Sequence, residues 1–110
     1  MINIEVVISE QKLRHVKADG HAGNTGYGTD IVCAAVTTLL RTTASLLEAQ
    51  KDIPIEGEAP APGLLNVSIK KVPFDRIGWL EGVTDYFLYG LRMLEKEYPD
   101  QISLIIKQET

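Results

Sequence analysis

A histidine and the only cysteine of the chain lie close together in sequence and are joined by a segment rich in glycine. His21 precedes Cys33 by twelve residues. The glycines of this segment are Gly20, Gly23, Gly26 and Gly28. A thiol next to an imidazole can act as a nucleophile with its base, which is the pairing that cysteine catalysis requires. The residue types and their spacing therefore indicate a candidate nucleophile at Cys33 and a candidate general acid or base at His21.

A helix is predicted to begin just before Cys33. Thr29 or Asp30 precedes an apolar run and could cap this helix, which puts Cys33 in or just after its first turn. Backbone N–H groups that are unpaired at a helix start, together with the positive end of the helix dipole, favour a thiolate over a thiol. The four glycines before the helix predict a mobile segment, so that His21 can fold back over the cysteine.

The position of Cys33 on the predicted helix bears on whether it is catalytic or only packed. A free cysteine near a helix start is usually a small buried hydrophobe. At about 100° per residue, one broad apolar face is formed by Ile31, Val32, Ala35, Val36, Leu39, Leu46 and Leu47. Cys33 falls on the opposite stripe with Asp30, Thr37 and Arg41. Polar neighbours on both sides of the cysteine favour chemistry over packing.

The bulk composition limits the class of protein. A length of 110 residues, with 45% hydrophobic and 24% charged residues, predicts one soluble globular domain over residues 1–110. One cysteine excludes an intrachain disulfide, and we expect neither a secretory signal nor a membrane span, which together favour a cytoplasmic location. The net charge of −4 argues against direct binding of nucleic acid through its phosphates.

No cofactor is expected from the residue spacings. One cysteine and two histidines fall in no recognised metal-ligand pattern. The glycine-rich segment lacks the endings of a P-loop or a dinucleotide-binding turn, so nucleotide chemistry is unsupported. His15, the other histidine, is expected to be exposed on a strand, on the same side as Leu13 and Lys17.

Alternating and helical patterns predict an α+β fold. Strands are predicted over residues 2–8, 13–19, 65–70 and 102–107, and two long helices over about 30–50 and 75–98. The acidic, proline-rich segment 56–63 is predicted to be a loop without helix or strand. The order is strand, strand, helix, strand, helix, strand, with the two long helices packed on one small mixed sheet.

The second predicted helix carries more apolar residues than one narrow stripe can hold, and it contains Gly78, Gly82 and Gly90. We expect one of its faces to pack on a second copy of the chain, and the alternative is a helix sunk deeply between the sheet and the first helix. Glycine destabilises a helix interior, so close approach of another helix would give these glycines a reason.

Residues 20–22 (Gly-His-Ala) and 28–36 (Gly-Thr-Asp-Ile-Val-Cys-Ala-Ala-Val) together resemble the signature of the ribosomal-processing cysteine protease family, Prp. The resemblance implies a small homodimeric cysteine endopeptidase. It implies that the enzyme removes the N-terminal extension of large-subunit ribosomal protein twenty-seven and so supports ribosome assembly. The expected partner is then the N-terminal region of a basic ribosomal protein.

The resemblance also implies roles for individual residues. The nucleophile of the family matches Cys33, its histidine matches His21, and its aspartate matches Asp30. Thr37 stands where many members have serine, which keeps a hydroxyl but adds a methyl group and restricts χ1. The loop of the family that is thought to move on substrate binding corresponds to residues 20–28, with Gly20, Gly23, Gly26 and Gly28 as supporting or substrate-binding positions.

Several alternatives stay open at this point. Asp30 could orient His21, cap the helix or recognise basic substrate side chains. The acidic segment 56–63 could attract a basic partner or could serve solubility alone. The competing function is a dimeric module without catalysis that binds a ribosomal protein or an assembly intermediate, with Cys33 buried and inert.

Overall fold

The structure, a computed structural model, describes residues 1–20, 27–58 and 64–109, and the side chains of residues 27–30 fall outside this description. Its elements are β1 (Ile2–Ser9), β2 (Lys12–Asp19), α1 (Tyr27–Glu48), β3 (Ile55–Glu58), β4 (Leu65–Ile69), α2 (Ile77–Glu97) and β5 (Ile102–Gln108). A short 3₁₀ turn at Phe74–Arg76 leads into α2. The helix predicted from residue 75 therefore begins two residues later.

The strands form one mixed sheet in the order β3-β4-β2-β1-β5. The β1–β2, β2–β4 and β3–β4 pairs are antiparallel. β1 and β5 run parallel, with Ile2 opposite Ile102. Two long helices and one mixed sheet confirm the predicted α+β fold.

One strand departs from the prediction. Segment 56–63 was expected to hold no helix or strand, but β3 pairs with β4, with Ile55 opposite Ile69 and Glu58 opposite Asn66. Three of the four β3 residues are exposed, so this strand has no alternating pattern that would reveal it in the sequence. Backbone hydrogen bonds to β4 hold it in place, which is the usual situation of a short edge strand.

A bulge in the β1–β2 hairpin sets which side chains of β2 enter the core. Val7 lies opposite His15 whereas Ile8 lies opposite Leu13, so Arg14 is the additional residue. Leu13 therefore turns into the core, and the expectation that it shares a face with His15 is wrong. The Leu13 N–H donates a hydrogen bond to Thr84 Oγ1 of α2 at 3.0 Å, so this buried donor has a partner.

Both helices pack on the same face of the sheet. The core contains alternate residues of β1, β2 and β4 together with one side of each helix. Its members are Ile2, Ile4, Val6, Ile8, Leu13, Val16, Ala18, Val32, Val36, Leu40, Leu47, Ile53, Leu65, Val67, Ile69, Leu80, Phe87, Leu91 and Ile102. Exposed polar side chains such as Asn3, Lys17 and Asn66 occupy the opposite face.

Helix α1 contains one stretch, Ile31–Glu48, that is long and apolar enough to cross a membrane by length and composition. Length and composition alone therefore do not support the expected absence of a membrane span. In this fold the stretch buries Val32, Val36 and Leu40 in the core, and the core helix of a soluble protein meets the same criterion.

The glycines of α2 differ in their surroundings. A Cβ at Gly90 would lie 2.9 Å from Leu39 Cδ2, so this glycine allows α1 to approach closely, as predicted. A Cβ at Gly78 or Gly82 would meet nothing within 4 Å among the described residues. Close approach of another helix was the explanation proposed for these glycines. Within the described part of the subunit, no helix comes close to Gly78 or Gly82.

Candidate active site

Cys33 lies farther into its helix than the sequence pattern predicted. α1 begins at Tyr27 rather than near Asp30, so Cys33 is its seventh residue and lies in the second turn. Only the first four N–H groups of a helix are unpaired, and the effect of the dipole fades within the first turn. The first turn of α1, with its unpaired N–H groups, therefore precedes Cys33, which differs from the predicted position of this residue.

The side chain of Cys33 is half-buried and packs against the edge of the core. Its Sγ lies 4.0 Å from Thr37 Oγ1, at the outer limit of a hydrogen bond that involves sulfur. The two residues are four positions apart and share one side of α1. The Thr37 hydroxyl is therefore next to the thiol of the candidate nucleophile.

The apolar face of α1 differs from the predicted one at two positions. Val32, Val36 and Leu47 are buried as expected, but Ile31 and Leu46 are exposed. The face that packs on the sheet is therefore narrower. Cys33 lies beside this face at its margin, neither within the core nor on the fully exposed side.

Several predicted site residues lie outside the described residues. His21, Gly23 and Gly26 fall in segment 21–26, and the side chain of Asp30 is also outside the description. That His21 lies close to Cys33 thus stays a prediction. Gly28 belongs to α1 by its backbone, so the segment between β2 and α1 is shorter than residues 20–28.

Gly20 has a structural role of its own. Its φ of +100° lies in the region that residues with a Cβ rarely adopt, and a Cβ there would collide with the Met1 carbonyl oxygen. Glycine at this position therefore allows the end of β2 to lie close to Met1, the residue before β1. Glycine is required at position 20 by the backbone conformation, which is a different reason from the mobility predicted from the sequence.

The far end of α1 is fixed by a cluster around Arg76. The Arg76 guanidinium donates to Asp52 Oδ1 at 2.7 Å and to Gln50 Oε1 at 2.8 Å, and it lies 4.6 Å from the ring centre of Trp79. The Lys70 N–H donates to the Pro54 carbonyl, so this cluster lies at the end of the sheet where β4 finishes.

The start of α1 consequently lies towards the opposite end of the sheet. At 1.5 Å per residue, α1 is about 33 Å long, which exceeds the length of every strand. β2 ends there at Asp19, and Leu65 of β4 lies opposite Ala18 at the same end. Cys33, near the start of α1, is therefore placed near the end of β2 from which the chain continues to His21.

A groove between α1 and the β3–β4 pair holds a pocket of about 150 Å³. Its lining comprises Ala44 and Glu48 of α1, Ile55, Gly57 and Glu58 of β3, and Leu65 and Val67 of β4. The sequence analysis missed these residues because it treated segment 56–63 as a loop. Two of them could have been found from the sequence, because the helical spacing of Ala44 and Glu48 places them on the same side of α1 as Cys33.

His15 is separate from this region. It lies on the sheet face that the helices leave open, and its Nε2 is 2.7 Å from Asn66 Oδ1. It is half-buried rather than freely exposed as predicted. Among residues 1–20, 27–58 and 64–109, no group of three or more His, Cys, Asp or Glu side chains could hold a metal ion.

Solved structures share this fold over nearly the whole chain. The protein SMU.848 of Streptococcus mutans is 26% identical, with a TM-score of 0.79 over 99% of this chain and 96% of that chain. The essential ribosomal processing protease Prp of S. aureus, in complex with a covalently linked product peptide, is 24% identical, with a TM-score of 0.78 over 97% of this chain and 100% of that chain.

The same S. aureus protease has also been solved with a substrate peptide, at 22% identity and a TM-score of 0.78 over 97% of this chain and 100% of that chain. A search of curated proteins found no match. The family model described as Cysteine protease Prp matches residues 1–103, which is most of the chain. The chain therefore belongs to the Prp family of cysteine proteases.

Proposed function

We propose that this protein is a ribosomal processing endopeptidase that removes the N-terminal extension of large-subunit ribosomal protein twenty-seven. The observation that carries the proposal is the Cys33 thiol, half-buried beside a hydroxyl on α1 in a chain of the cysteine protease family. The likeness to the S. aureus ribosomal processing protease with bound peptides supports the substrate class.

In the proposed mechanism, Cys33 and His21 form a catalytic dyad. The Cys33 thiolate attacks the scissile carbonyl carbon, and His21 donates a proton to the leaving amine. The resulting thioester is hydrolysed by water, which His21 deprotonates, and the thiol is regenerated. Thr37 Oγ1, at 4.0 Å from the sulfur, is close enough to influence the orientation of Cys33.

Asp30 keeps two of its three proposed roles. An N-cap residue precedes the helix, and Asp30 lies in its first turn because α1 begins at Tyr27. It can orient His21 or attract a basic substrate side chain. A carboxylate in a first turn also interacts favourably with the helix dipole.

The negative charge of the protein supports a basic partner. Segment 56–63 contributes less unpaired negative charge than the sequence suggested. Glu56 Oε1 lies 3.3 Å from Lys70 Nζ, so its charge is offset at the edge of the sheet. Glu58 has no cationic partner among the described residues. The net charge of −4 favours association with the basic N-terminal region of a ribosomal protein.

The protein acts as a homodimer in this proposal, with α2 at the interface. Tyr86, Tyr89 and Met93 are exposed by 77%, 70% and 60% and form one stripe of the helix. Gly78 and Gly82 continue this stripe and leave room for a second helix. Sedimentation of wild type and of Tyr89→Glu tests this dimer: wild type should sediment as a dimer and the variant as a monomer. A wild type that is monomeric at every concentration contradicts the proposal.

The first experiment is to incubate the purified protein with the host's own full-length ribosomal protein twenty-seven and to measure the product mass. Wild type is expected to remove an N-terminal segment, while Cys33→Ala and His21→Ala leave the substrate intact. If wild type binds an extended substrate without cleaving it, the proposed activity is wrong and the binding-module alternative takes its place. The expected setting is the cytoplasm, where ribosomal proteins are made.

A further inference from the structure

The groove between α1 and the β3–β4 pair lies on the same side of α1 as Cys33. With 3.6 residues per turn, Cys33, Thr37, Ala44 and Glu48 fall within about 60° of one another around the helix axis. Cys33 and Thr37 occupy the first half of this stripe, and Ala44 and Glu48 line the pocket in the second half. One line along α1 therefore joins the nucleophile to the pocket.

The pocket has the size and lining to hold one apolar side chain. Its volume of about 150 Å³ equals that of a protein cavity that accommodates a benzene molecule. Leu65 and Val67 are buried at its base, and Ala44 and Ile55 are half-buried. A leucine or phenylalanine side chain would bury apolar surface here, whereas a small or charged one would not.

Acidic residues also line this pocket. Glu48 and Glu58 are both exposed, and neither has a cationic partner within the described ranges 1–20, 27–58 and 64–109. Pairing with an incoming Lys or Arg side chain would satisfy either carboxylate. Unlike Glu56, which pairs with Lys70, these two carboxylates remain available to a ligand.

The position of the pocket sets its distance from the cleaved bond. Ala44 follows Cys33 by eleven residues, which corresponds to about 16 Å along the helix axis. An extended peptide advances about 3.3 Å per residue, so about five of its residues span this distance. The pocket is thus remote from the reacting atoms but within reach of one continuous substrate segment.

We propose that this groove is a substrate subsite, and this rests on the proposed peptidase function at Cys33. It takes an apolar side chain that lies about five residues from the scissile bond. A basic side chain next to that residue pairs with Glu48. Selectivity for the substrate therefore comes partly from the second half of α1 and from the edge strand β3.

The test is a positional scan of a peptide that spans the bond identified by product mass. Each position on either side of the bond is changed in turn to Ala, Leu, Phe, Lys and Glu, and kcat/KM is measured. Wild type is expected to prefer Leu or Phe over Ala by about tenfold or more at one position about five residues from the bond. It is also expected to prefer Lys over Glu at an adjacent position.

Two variants of α1 connect this preference to the groove. Ala44→Leu fills the pocket, so the preference for a large apolar residue over Ala at this position should fall to within about twofold. Ala49→Leu, an exposed position after α1, is the matched control. Glu48→Lys should reverse the preference for Lys over Glu, and Glu97→Lys on α2 should not.

The outcomes separate the subsite from the activity. If wild type shows no preference three to seven residues from the bond, or if both variants keep it, the subsite is wrong while the peptidase function stands. If wild type cleaves neither the protein nor any peptide, the peptidase function is wrong and the subsite with it. Thermal unfolding establishes that each variant is folded, and Glu48→Lys gives a result even if Ala44→Leu does not fold.

Discussion

The two helices have nearly equal lengths, 22 and 21 residues, but opposite divisions of their surface. α2 buries one regular line of side chains and keeps its exposed aromatic stripe well away from that line. α1 buries an equally regular line, but Cys33 and Thr37 lie immediately beside it. The candidate nucleophile is thus positioned by core packing without being part of it, whereas α2 supplies support.

The support that α2 gives is specific at two points. Thr84 Oγ1 accepts a hydrogen bond from the Leu13 N–H and donates one to the Leu80 carbonyl at 2.7 Å, which ties α2 to the bulged strand. Gly90 lets Leu39 of α1 pack against α2 without an intervening Cβ. Changes in α2 should therefore affect folding, and changes on the Cys33 side of α1 should affect chemistry.

The largest expected effect is on activity and comes from α1. Cys33→Ala removes the proposed nucleophile and should lower kcat by about 10³-fold or more. The free energy of unfolding should change by less than about 1 kcal/mol because the side chain is only half-buried. Peptide cleavage and urea unfolding measure the two quantities. Activity within tenfold of wild type would show that the thiol is not the nucleophile.

Phe87→Ala on α2 should have the opposite signature. Phe87 is among the largest fully buried side chains, and its truncation should lower the free energy of unfolding by about 3–5 kcal/mol. The activity of the molecules that remain folded should be close to that of wild type. Urea unfolding and an active-site titration with a thiol reagent test this. A stable but inactive variant would contradict the division between the helices.

Thr84→Val should have a smaller effect by the same route. It keeps the shape but removes the hydroxyl, which leaves the buried Leu13 N–H without its acceptor and should cost about 1–3 kcal/mol of unfolding free energy. Thr84→Ser keeps the hydroxyl and is the control. If valine and serine variants unfold at the same urea concentration, the hydrogen bond to the bulge contributes nothing.

The smallest effects are expected from two glycines of α2. Gly82→Ala meets no described atom within 4 Å and should stabilise the helix by about 0.5–1 kcal/mol. Gly90→Ala should gain less, because Leu39 must move away from the new methyl group. Unfolding measured at low protein concentration isolates the subunit. Equal gains at both positions would show that Leu39 moves without cost.

The sequence predicted most of the elements because their patterns are strong. Alternation revealed β1 and β2, and helical spacing revealed α1 and α2. Strand β3 was missed because its exposed Glu-Gly-Glu segment has no apolar alternation and depends on its neighbour β4. The side on which Leu13 lies was missed because a bulge reverses the alternation at Arg14, and nothing local in the sequence marks it.

The candidate site was predictable in residue types but less so in geometry. The sequence placed Cys33 on the stripe opposite the apolar face, whereas in the structure it is half-buried and packs against the edge of the core. The start of α1 at Tyr27 was not evident, because Gly28 within the helix and Asp30 as a candidate cap both pointed to a later start. The groove near Ala44 required the position of β3, which comes from tertiary pairing rather than from local propensity.

The parallel pairing of β1 with β5 also constrains how the protein is made. Ile2 lies opposite Ile102, so the paired residues of these two strands are 100 positions apart in the chain. Contacts of such high sequence separation form slowly, since the intervening loop must close first. During synthesis the sheet stays open on this side until β5 leaves the ribosome, and a fully assembled fold is expected only after translation of that strand.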